Sequence, residues 1–182
     1  MQARIPLPQP EELSADQRAV YESILASRGA LDGPFLAWLH SPDFAAPAEK
    51  LGAFCRYGVR LGRSEIELLI LVVAAHFRCN GEWTIHAPIA VEAGIPEAVA
   101  ESIRTNGHPR IEDARLAALH RFATALLRSN RIDQATFAQA SALFDTPTLV
   151  EAVGLIGYYS LVAMTLNAFD MVADSKQPPA FG

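Results

Sequence analysis

The sequence predicts an all-α fold: a single helical domain built around a central helical hairpin. Apolar residues recur at helical spacing in several segments, most densely between positions 63 and 77. Capping residues, glycines and prolines punctuate the chain at helix-length intervals, and no stretch alternates apolar and polar residues as an exposed strand does. These signals predict one domain over residues 1–182 with about seven to nine helices.

Composition argues against several classes of protein. Of the 182 residues, 51% are apolar and 19% are charged, which is typical of a folded chain with a substantial core. The net charge is -5 and no block of Lys or Arg occurs, so we expect neither a nucleic-acid partner nor binding to an acidic membrane surface. The two cysteines form no disulfide pattern, and the first residues lack the apolar segment of a secretory signal. We therefore expect a cytoplasmic protein.

The first third of the chain is divided by prolines and capping residues. Three prolines predict an extended arm over residues 1–12, because proline at this density is incompatible with a helix. Ser14 is a suitable N-cap for the first long helix, and Gly29 is a suitable stop. Ser41, followed by proline, predicts the start of another helix that runs towards Leu61.

The central hairpin is predicted over residues 63–94. Its first helix begins at Ser64 and is apolar on most of its circumference, so we expect it deep inside the protein. Asn80 and Gly81 predict the turn, with Asn80 as a cap for the second helix. Pro88 falls within that second helix and predicts either a bend or a later helix start.

Three shorter helices and one long apolar helix follow the hairpin. The shorter helices are predicted over residues 96–105, 112–129 and 133–144. The long helix is expected to reach about Val172, and its apolar run over 149–169 is long enough to cross a bilayer. Glycines and polar residues interrupt that run, so we favour a helix buried in the core or between subunits. Residues 174–182 are predicted to form a loose tail.

Reactive side chains gather just after the predicted turn. Cys79, Glu82 and His86 are spaced by three and four residues, which aligns them on one side of a helix. A carboxylate one turn before an imidazole can fix its tautomer, and such a histidine can transfer a proton near neutral pH. Cys79 would lie at a helix N-terminus, where the dipole and the neighbouring Arg78 favour a thiolate. The alternatives are a solvent-exposed Glu–His pair and a small buried cysteine at a turn.

Three further residues are candidates for the same site. Glu67 lies on the first helix of the hairpin and serves either the site or a capping box with Ser64. Arg78 can hold a substrate carboxylate with two parallel hydrogen bonds, or can lie solvated at a helix end. Trp83 can wall a pocket and exclude water. The cluster lacks the further ligands of a metal site, so no metal is expected.

At these residues the sequence resembles the carboxymuconolactone decarboxylase-like family, which includes the alkylhydroperoxidase D proteins. The resemblance is carried by Glu67, by RCNGEWTIH at 78–86, by A-x-x-A-G at 90–94 and, more loosely, by GYY at 157–159 and LNAF at 166–169. It implies an all-α fold that assembles as trimers or hexamers, with the active site near the hairpin and the subunit contacts. In the peroxidase branch a C-x-x-C pair works with a preceding Glu and a following His. Cys79, Glu67 and His86 match that pattern, but Glu82 replaces the second cysteine, and the E-W-x-x-H pattern is similar to the decarboxylase side.

We therefore expect a cofactor-independent lyase of the decarboxylase type that acts on a small carboxylated or lactone-like organic acid. His86, oriented by Glu82, would move the proton, although isomerisation, hydration and dehydration would suit the same residues. One alternative is a peroxidase or peroxiredoxin-like activity that depends on Cys79 and an outside thiol. A second alternative is a helical oligomer without enzymatic activity. Further copies of the chain are the expected macromolecular partners, because the final helix is too apolar for a monomer.

Overall fold

The structure, a computed structural model, describes residues 2–31, 33–171 and 178–182. Within these ranges it contains nine α-helices and no β-strand, which confirms the all-α prediction. The helices are α1 (Ala15–Arg28), α2 (Pro34–Trp38), α3 (Pro42–Tyr57), α4 (Arg63–His76), α5 (Asn80–Glu92), α6 (Glu97–Arg104), α7 (Ala114–Ser129), α8 (Gln134–Ser141) and α9 (Thr146–Ala168).

Helix α4 forms the centre of the core. It packs against α5, α7 and α9 and also contacts α6. The four side chains at 68–71 are 0% exposed, so every side of the helix is covered along this turn. The expected burial of this helix is therefore confirmed, because a helix that is apolar all round needs neighbours all round.

Ser14 and Ser41 occupy the predicted N-cap positions of α1 and α3, but only Ser14 forms a side-chain capping hydrogen bond. Ser14 accepts a hydrogen bond from the backbone of Gln17, whose own side chain accepts from the Ser14 backbone in return. Gly29 ends α1 in the left-handed conformation, with φ of 76°. Ser41 precedes α3, and Pro42 occupies its first position.

Of the two roles considered for Glu67, the capping box with Ser64 at the start of α4 is wrong. The helix begins at Arg63, one residue early, and the carboxylate that caps it belongs to Glu65. The backbone N–H of Gly62 donates to Glu65 Oε2 over 2.8 Å. Glu67 therefore does not cap α4, and its 0% exposure needs another explanation.

The turn between α4 and α5 lies earlier than predicted. Arg78 adopts the left-handed conformation, with φ of 50°, and Cys79 occupies the N-cap position of α5. Asn80 is the first residue of the helix rather than its cap. Gly81 faces α9, where an added Cβ would lie 3.0 Å from Leu166 Cδ1. Its lack of a side chain therefore allows α5 to approach α9 closely.

Helix α5 runs without interruption through Pro88. Pro88 left open the alternative that this helix begins later in the sequence. That alternative is wrong, because the helix covers Asn80–Glu92. Proline cannot donate to the carbonyl of Thr84, so one bond of the helical ladder is missing in the turn that contains His86.

Helix α9 ends at Ala168, short of the predicted end at Val172, which lies outside the described residues. By length and composition it is the one described helix that could cross a membrane, and 56% of its most apolar window is buried inside the protein. A core helix of a soluble domain has the same properties. Its contacts with α2, α3, α4, α5 and α8 are those of a packed core element.

The N-terminal arm lies along the end of α9. The backbone N–H of Arg4 donates to the carbonyl of Phe169 over 2.7 Å. His40 Nε2 donates to the carbonyl of Pro6, also over 2.7 Å. A short 3-10 helix, Pro10–Glu12, then leads into α1.

The prediction of a loose tail is wrong for residues 178–182, whereas 174–177 lie outside the described residues. Phe181 is 7% exposed and its ring meets Trp83 edge to face at 5.4 Å. Its backbone N–H donates to Asn80 Oδ1 over 2.8 Å, and its carbonyl accepts from Asn80 Nδ2. An aromatic side chain close to the end of the sequence thus anchors the segment to the start of α5.

Candidate active site

Side chains from four helices meet on one side of α5. Glu67 comes from α4, Glu82 and His86 from α5, Arg56 from α3 and Tyr159 from α9. The pair on α5 shares a face because its members are one helical turn apart. Glu67, Glu82 and His86 are 0%, 5% and 7% exposed. Two carboxylates and an imidazole that are distributed over a helical hairpin therefore form one buried cluster.

The imidazole makes its short hydrogen bond to Glu67, which accepts it. His86 Nδ1 lies 2.8 Å from Glu67 Oε2, whereas His86 Nε2 lies 3.5 Å from Glu82 Oε2. The carboxylate that fixes the ring is thus on the preceding helix and not one turn earlier on α5, as the sequence suggested. An ionised carboxylate can only accept a hydrogen bond, so Nδ1 carries the hydrogen. In the neutral ring, Nε2 then holds the lone pair.

Arg56 holds the other oxygen of Glu67. Its Nη1 is paired with Glu67 Oε1, and its side chain is 21% exposed. Burial alone raises the pKa of Glu67, but the hydrogen bond and charge of His86, together with those of Arg56, outweigh it and lower the pKa below its ordinary value. Burial likewise lowers the pKa of Arg56, and the bond to Glu67 more than reverses this. Glu67 is therefore an ionised carboxylate between two donors.

Tyr159 packs against the imidazole of His86. Its ring meets that of His86 edge to face, with centroids 5.5 Å apart, and meets Tyr158 in the same way. Burial, followed by the negative charge of Glu82, raises the pKa of Tyr159 above the ordinary range. The phenol is therefore neutral under all physiological conditions and can donate a hydrogen bond.

A cavity of about 220 Å³ adjoins this cluster. Its polar wall is formed by Arg56, Glu82, His86 and Tyr159. Its apolar wall consists mainly of Pro34, Phe35, Ile85, Ile89 and Val162. The volume is below the ~300–1,000 Å³ of pockets for drug-sized ligands, so the cavity suits a small molecule. Ionisable groups that converge on a recess with one apolar wall are typical of an acid–base site.

Cys79 does not have the environment that the sequence suggested. It is 0% exposed at the start of α5 and does not line the cavity beside His86. Burial is the main reason why the pKa of Cys79 rises to about 11, and it outweighs the backbone donors at the helix N-terminus. The expectation of a stabilised thiolate is therefore wrong. Cys55 on α3 is also buried, and its pKa is likewise raised to about 11.

Arg78 and Trp83 lie apart from the cavity beside His86. The guanidinium of Arg78 donates to the carbonyl of Gly182 and lies 5.8 Å from the ring centroid of Phe181. Trp83 is 7% exposed and packs against the same phenylalanine. Both residues thus hold the final segment against α5. The positively charged side chain that lines the cavity beside His86 is that of Arg56.

The sequence reasoning missed Arg56 and Tyr159 as members of the site. Tyr159 belongs to the GYY segment at 157–159, which was noted only as part of the family resemblance. Nothing in that segment indicates that the Tyr159 side chain contacts a residue of α5. Arg56 follows the core residue Cys55 on α3. An arginine within a half-apolar helix could have indicated a buried ion pair. Its partner Glu67 could not be identified from local spacing, because it is 11 residues away on another helix. Among the described residues, no group of three His, Cys, Asp or Glu side chains could hold a metal ion.

Comparison with solved structures identifies the fold. An uncharacterized peroxidase-related protein from Ralstonia eutropha JMP134, described as an alkylhydroperoxidase AhpD core, superposes with a TM-score of 0.78 at 19% identity, over 96% of this chain and 93% of that one. A peroxidase-related protein from Silicibacter sp. TM1040 gives 0.76 at 16% identity, over 96% and 93%. The debrominase Bmp8 gives 0.73 at 14% identity, over 93% and 91%.

These matches establish that the chain has the alkylhydroperoxidase D-like fold, as the resemblance in sequence implied. No family model matches the sequence, and no curated protein matches it. At identities below 20% the likeness concerns the fold alone, so the activity must be argued from the residues of the site.

Proposed function

We propose that the protein is a cofactor-independent proton-transfer enzyme, a lyase of the decarboxylase type that acts on a small carboxylated or lactone-like organic acid. The observation that carries this proposal is the buried imidazole of His86. One of its nitrogens is bonded to the ionised Glu67, and its other nitrogen lies at the cavity side near Glu82. A histidine with a fixed tautomer beside a small cavity is the arrangement that general acid–base catalysis requires.

The proton would move through Nε2 of His86. Glu67 keeps the hydrogen on Nδ1, so in the neutral ring the Nε2 lone pair is available as a base. Once Nε2 is protonated, the ring becomes a cation held between the carboxylates of Glu67 and Glu82. Both carboxylates stabilise that cation, and the geometry of the ring need not change between the two states.

In the decarboxylation that we propose, the bond between the substrate's α-carbon and its carboxylate breaks. Its electron pair moves into the conjugated carbonyl to give an enolate, and carbon dioxide leaves. The α-carbon then takes the proton from His86 Nε2, and a solvent proton restores the imidazolium. The neutral phenol of Tyr159 is suited to donate a hydrogen bond to the enolate oxygen.

Arg56 is suited to attract the substrate's acid group. It lines the cavity and has five N–H donors, of which the described contacts use one on Glu67. We expected Arg78 in this role from the sequence, but Arg78 does not line the cavity. Because Glu67 already offsets part of its charge, Arg56 would bind a monoanion more weakly than an isolated guanidinium would.

A peroxidase activity based on Cys79 is the second candidate, favoured by the description of two structural neighbours as peroxidase-related. Its attacking thiol would be a buried group with a pKa of about 11, which leaves very little thiolate at neutral pH. Position 82 carries a glutamate, so the resolving thiol would have to come from another molecule. The third candidate, a non-enzymatic oligomer, gives no reason for a buried Glu–His–Glu cluster beside a cavity.

The test is solvent deuterium incorporation. The protein is incubated in D₂O with a panel of small β-keto acids, unsaturated carboxylic acids and carboxylated lactones. NMR detects new C–D bonds, and released carbon dioxide is measured in parallel. We expect turnover with at least one member of the panel, and its loss in His86→Gln while the helical circular dichroism spectrum of the variant remains that of the wild type.

The matched control is His40→Gln, a substitution of an exposed histidine outside the site. It should retain the wild-type rate. Equal rates for His86→Gln and the wild type would overturn the proposal. Turnover of hydroperoxide that depends on Cys79, with no deuterium incorporation from any acid, would favour the second candidate instead.

A further inference from the structure

A second cavity lies on a different side of α4. Its volume is about 520 Å³, more than twice that of the cavity beside His86, and the two share no lining residue. Its walls come from the last turn of α4, the segment between α6 and α7, and α7, with a contribution from α8. About half of its lining is apolar, including Val72, Ile103, Ile111 and Leu127.

The polar part of this second cavity is cationic. Its lining includes two arginines and three histidines and no carboxylate, in a chain whose net charge is -5. These residues are His76 on α4, His108 before α7, and His120, Arg121 and Arg128 on α7. Both arginines and His120 lie on α7, and the fold brings His76 of α4 and His108 of the preceding segment to them.

These groups act on one another electrostatically. Burial lowers the pKa of His120, and the charges of Arg121, Arg128 and His108 lower it further. Burial followed by Arg128 lowers the pKa of His76 in the same way. A single guanidinium thus disfavours protonation of histidines on two helices. An anion in the cavity would relieve that repulsion.

Within the described residues, the two arginines and the histidines at 108 and 120 make no hydrogen bond or ion pair with protein groups. His120 is half-buried, and the other three are exposed at the rim, where a solute can reach them. The three histidines also do not belong to any described group that could hold a metal ion. Two guanidinium groups beside them would in addition repel a metal cation. The donors that remain are those that recognise oxyanions: arginine forks and imidazole N–H groups.

We propose that this second cavity is a binding site for a small organic oxyanion, a phosphate or carboxylate group attached to a compact apolar body. The arginines and histidines bind the oxyanion, and the apolar wall of α4, α6 and α7 receives the body. The site is separate from the acid–base cluster and does not depend on the function proposed for it. Its position at the last turn of α4 places it on the same helix as Glu67.

The experiment is titration of the full chain with phenyl phosphate at low ionic strength, followed by calorimetry and by NMR of the histidine side chains. Benzoate serves as the carboxylate counterpart, phenol as the neutral counterpart, and inorganic phosphate as the charge without the apolar body. We expect saturable binding of phenyl phosphate or benzoate, with shifts of the His76 and His120 resonances. Phenol should not bind, and inorganic phosphate should bind at least tenfold more weakly.

Arg128→Gln should weaken this binding at least tenfold, and added salt should weaken it in the wild type. Arg110→Gln is the matched control, because this arginine is 92% exposed and does not line the cavity; it should change the affinity less than twofold. If Arg128→Gln lowers the melting temperature, the affinity of Arg121→Gln is measured in its place. No saturable binding of either aromatic anion, or equal weakening in the variant and the control, would overturn the proposal.

Discussion

Replacing Glu67 by Gln tests the electrostatic core of the candidate site. The carboxylate accepts from Arg56 through Oε1 and from His86 through Oε2. An amide of the same shape has only one acceptor oxygen, so one of the two donors must face an NH₂ group. The lost bond is charge-assisted and worth about 1.5–3 kcal/mol, and the donor that loses it is at least partly buried. Because Arg56 is 21% exposed, water can solvate part of its charge. We therefore expect a loss of about 2–4 kcal/mol rather than the larger cost of a fully buried broken pair.

The assay is chemical and thermal unfolding of the wild type and Glu67→Gln. In a chain of 182 residues, a loss of 3 kcal/mol should lower the melting temperature by ~6–12 °C. The gap should also depend on pH. The pKa of Glu67 in the folded protein is lowered from an ordinary 4.5, so its stabilising effect is complete above about pH 5. As the pH falls through 4.5 and towards the folded-state pKa, the wild type loses this contribution and the variant does not, so the gap narrows.

The control for this prediction is Glu92→Gln, which alters a carboxylate that is 70% exposed and 3.5 Å from Arg63. An exposed pair of this kind contributes little, so the change in stability should stay below ~0.5 kcal/mol. If Glu67→Gln were as mild as the control at pH 7, or if its effect were the same at pH 7 and pH 4, Glu67 would not be the ionised link between Arg56 and His86.

Three further predictions concern other parts of the protein. Cys55 and Cys79, with pKa values of about 11, should react with iodoacetamide at pH 7.5 far more slowly than a free thiol and at a normal rate once unfolded; rapid labelling of native Cys79 would revive the peroxidase candidate. Phe181→Ala should destabilise the protein by about 1–3 kcal/mol in urea unfolding, because it removes the ring that packs on Trp83, whereas an unchanged midpoint would mean that the segment is not anchored. The trimer or hexamer implied by the resemblance should lose subunits in Val153→Asp, because Val153 is 45% exposed on α9; light scattering would contradict this if wild type and variant had the same mass.

Local helical spacing made part of the site predictable. Glu82 and His86 are one turn apart, so any helix over this segment places them on the same face. In the structure His86 Nε2 lies 3.5 Å from Glu82 Oε2. The burial of α4 was also predictable, because a helix without a polar face has to be covered. A capping box of Ser64 and Glu67 has the right spacing, but the helix begins at Arg63 and the capping bond runs from the Gly62 N–H to Glu65 Oε2.

Other features depend on contacts between residues far apart in the sequence. The final segment was expected to be loose, as terminal segments often are, yet Phe181 occupies a buried position against Trp83. Cys79 was expected to be activated by its helix N-terminus, yet the surrounding core excludes water and raises its pKa instead. In both cases burial decided the outcome, and burial is a property of the assembled core.

The sequence by itself determined an all-α chain, a central hairpin, and a glutamate and a histidine on one face of its second helix. These follow from the 3.6-residue period and from capping residues, which act over a few neighbouring positions. Only the tertiary structure decided that Glu67 holds the imidazole, that Arg56 and Tyr159 complete the cluster, and that Cys79 is sealed in the core. Those contacts join α3, α4, α5 and α9. Which helices meet is set by the packing of apolar faces over the whole chain, and no local pattern encodes it.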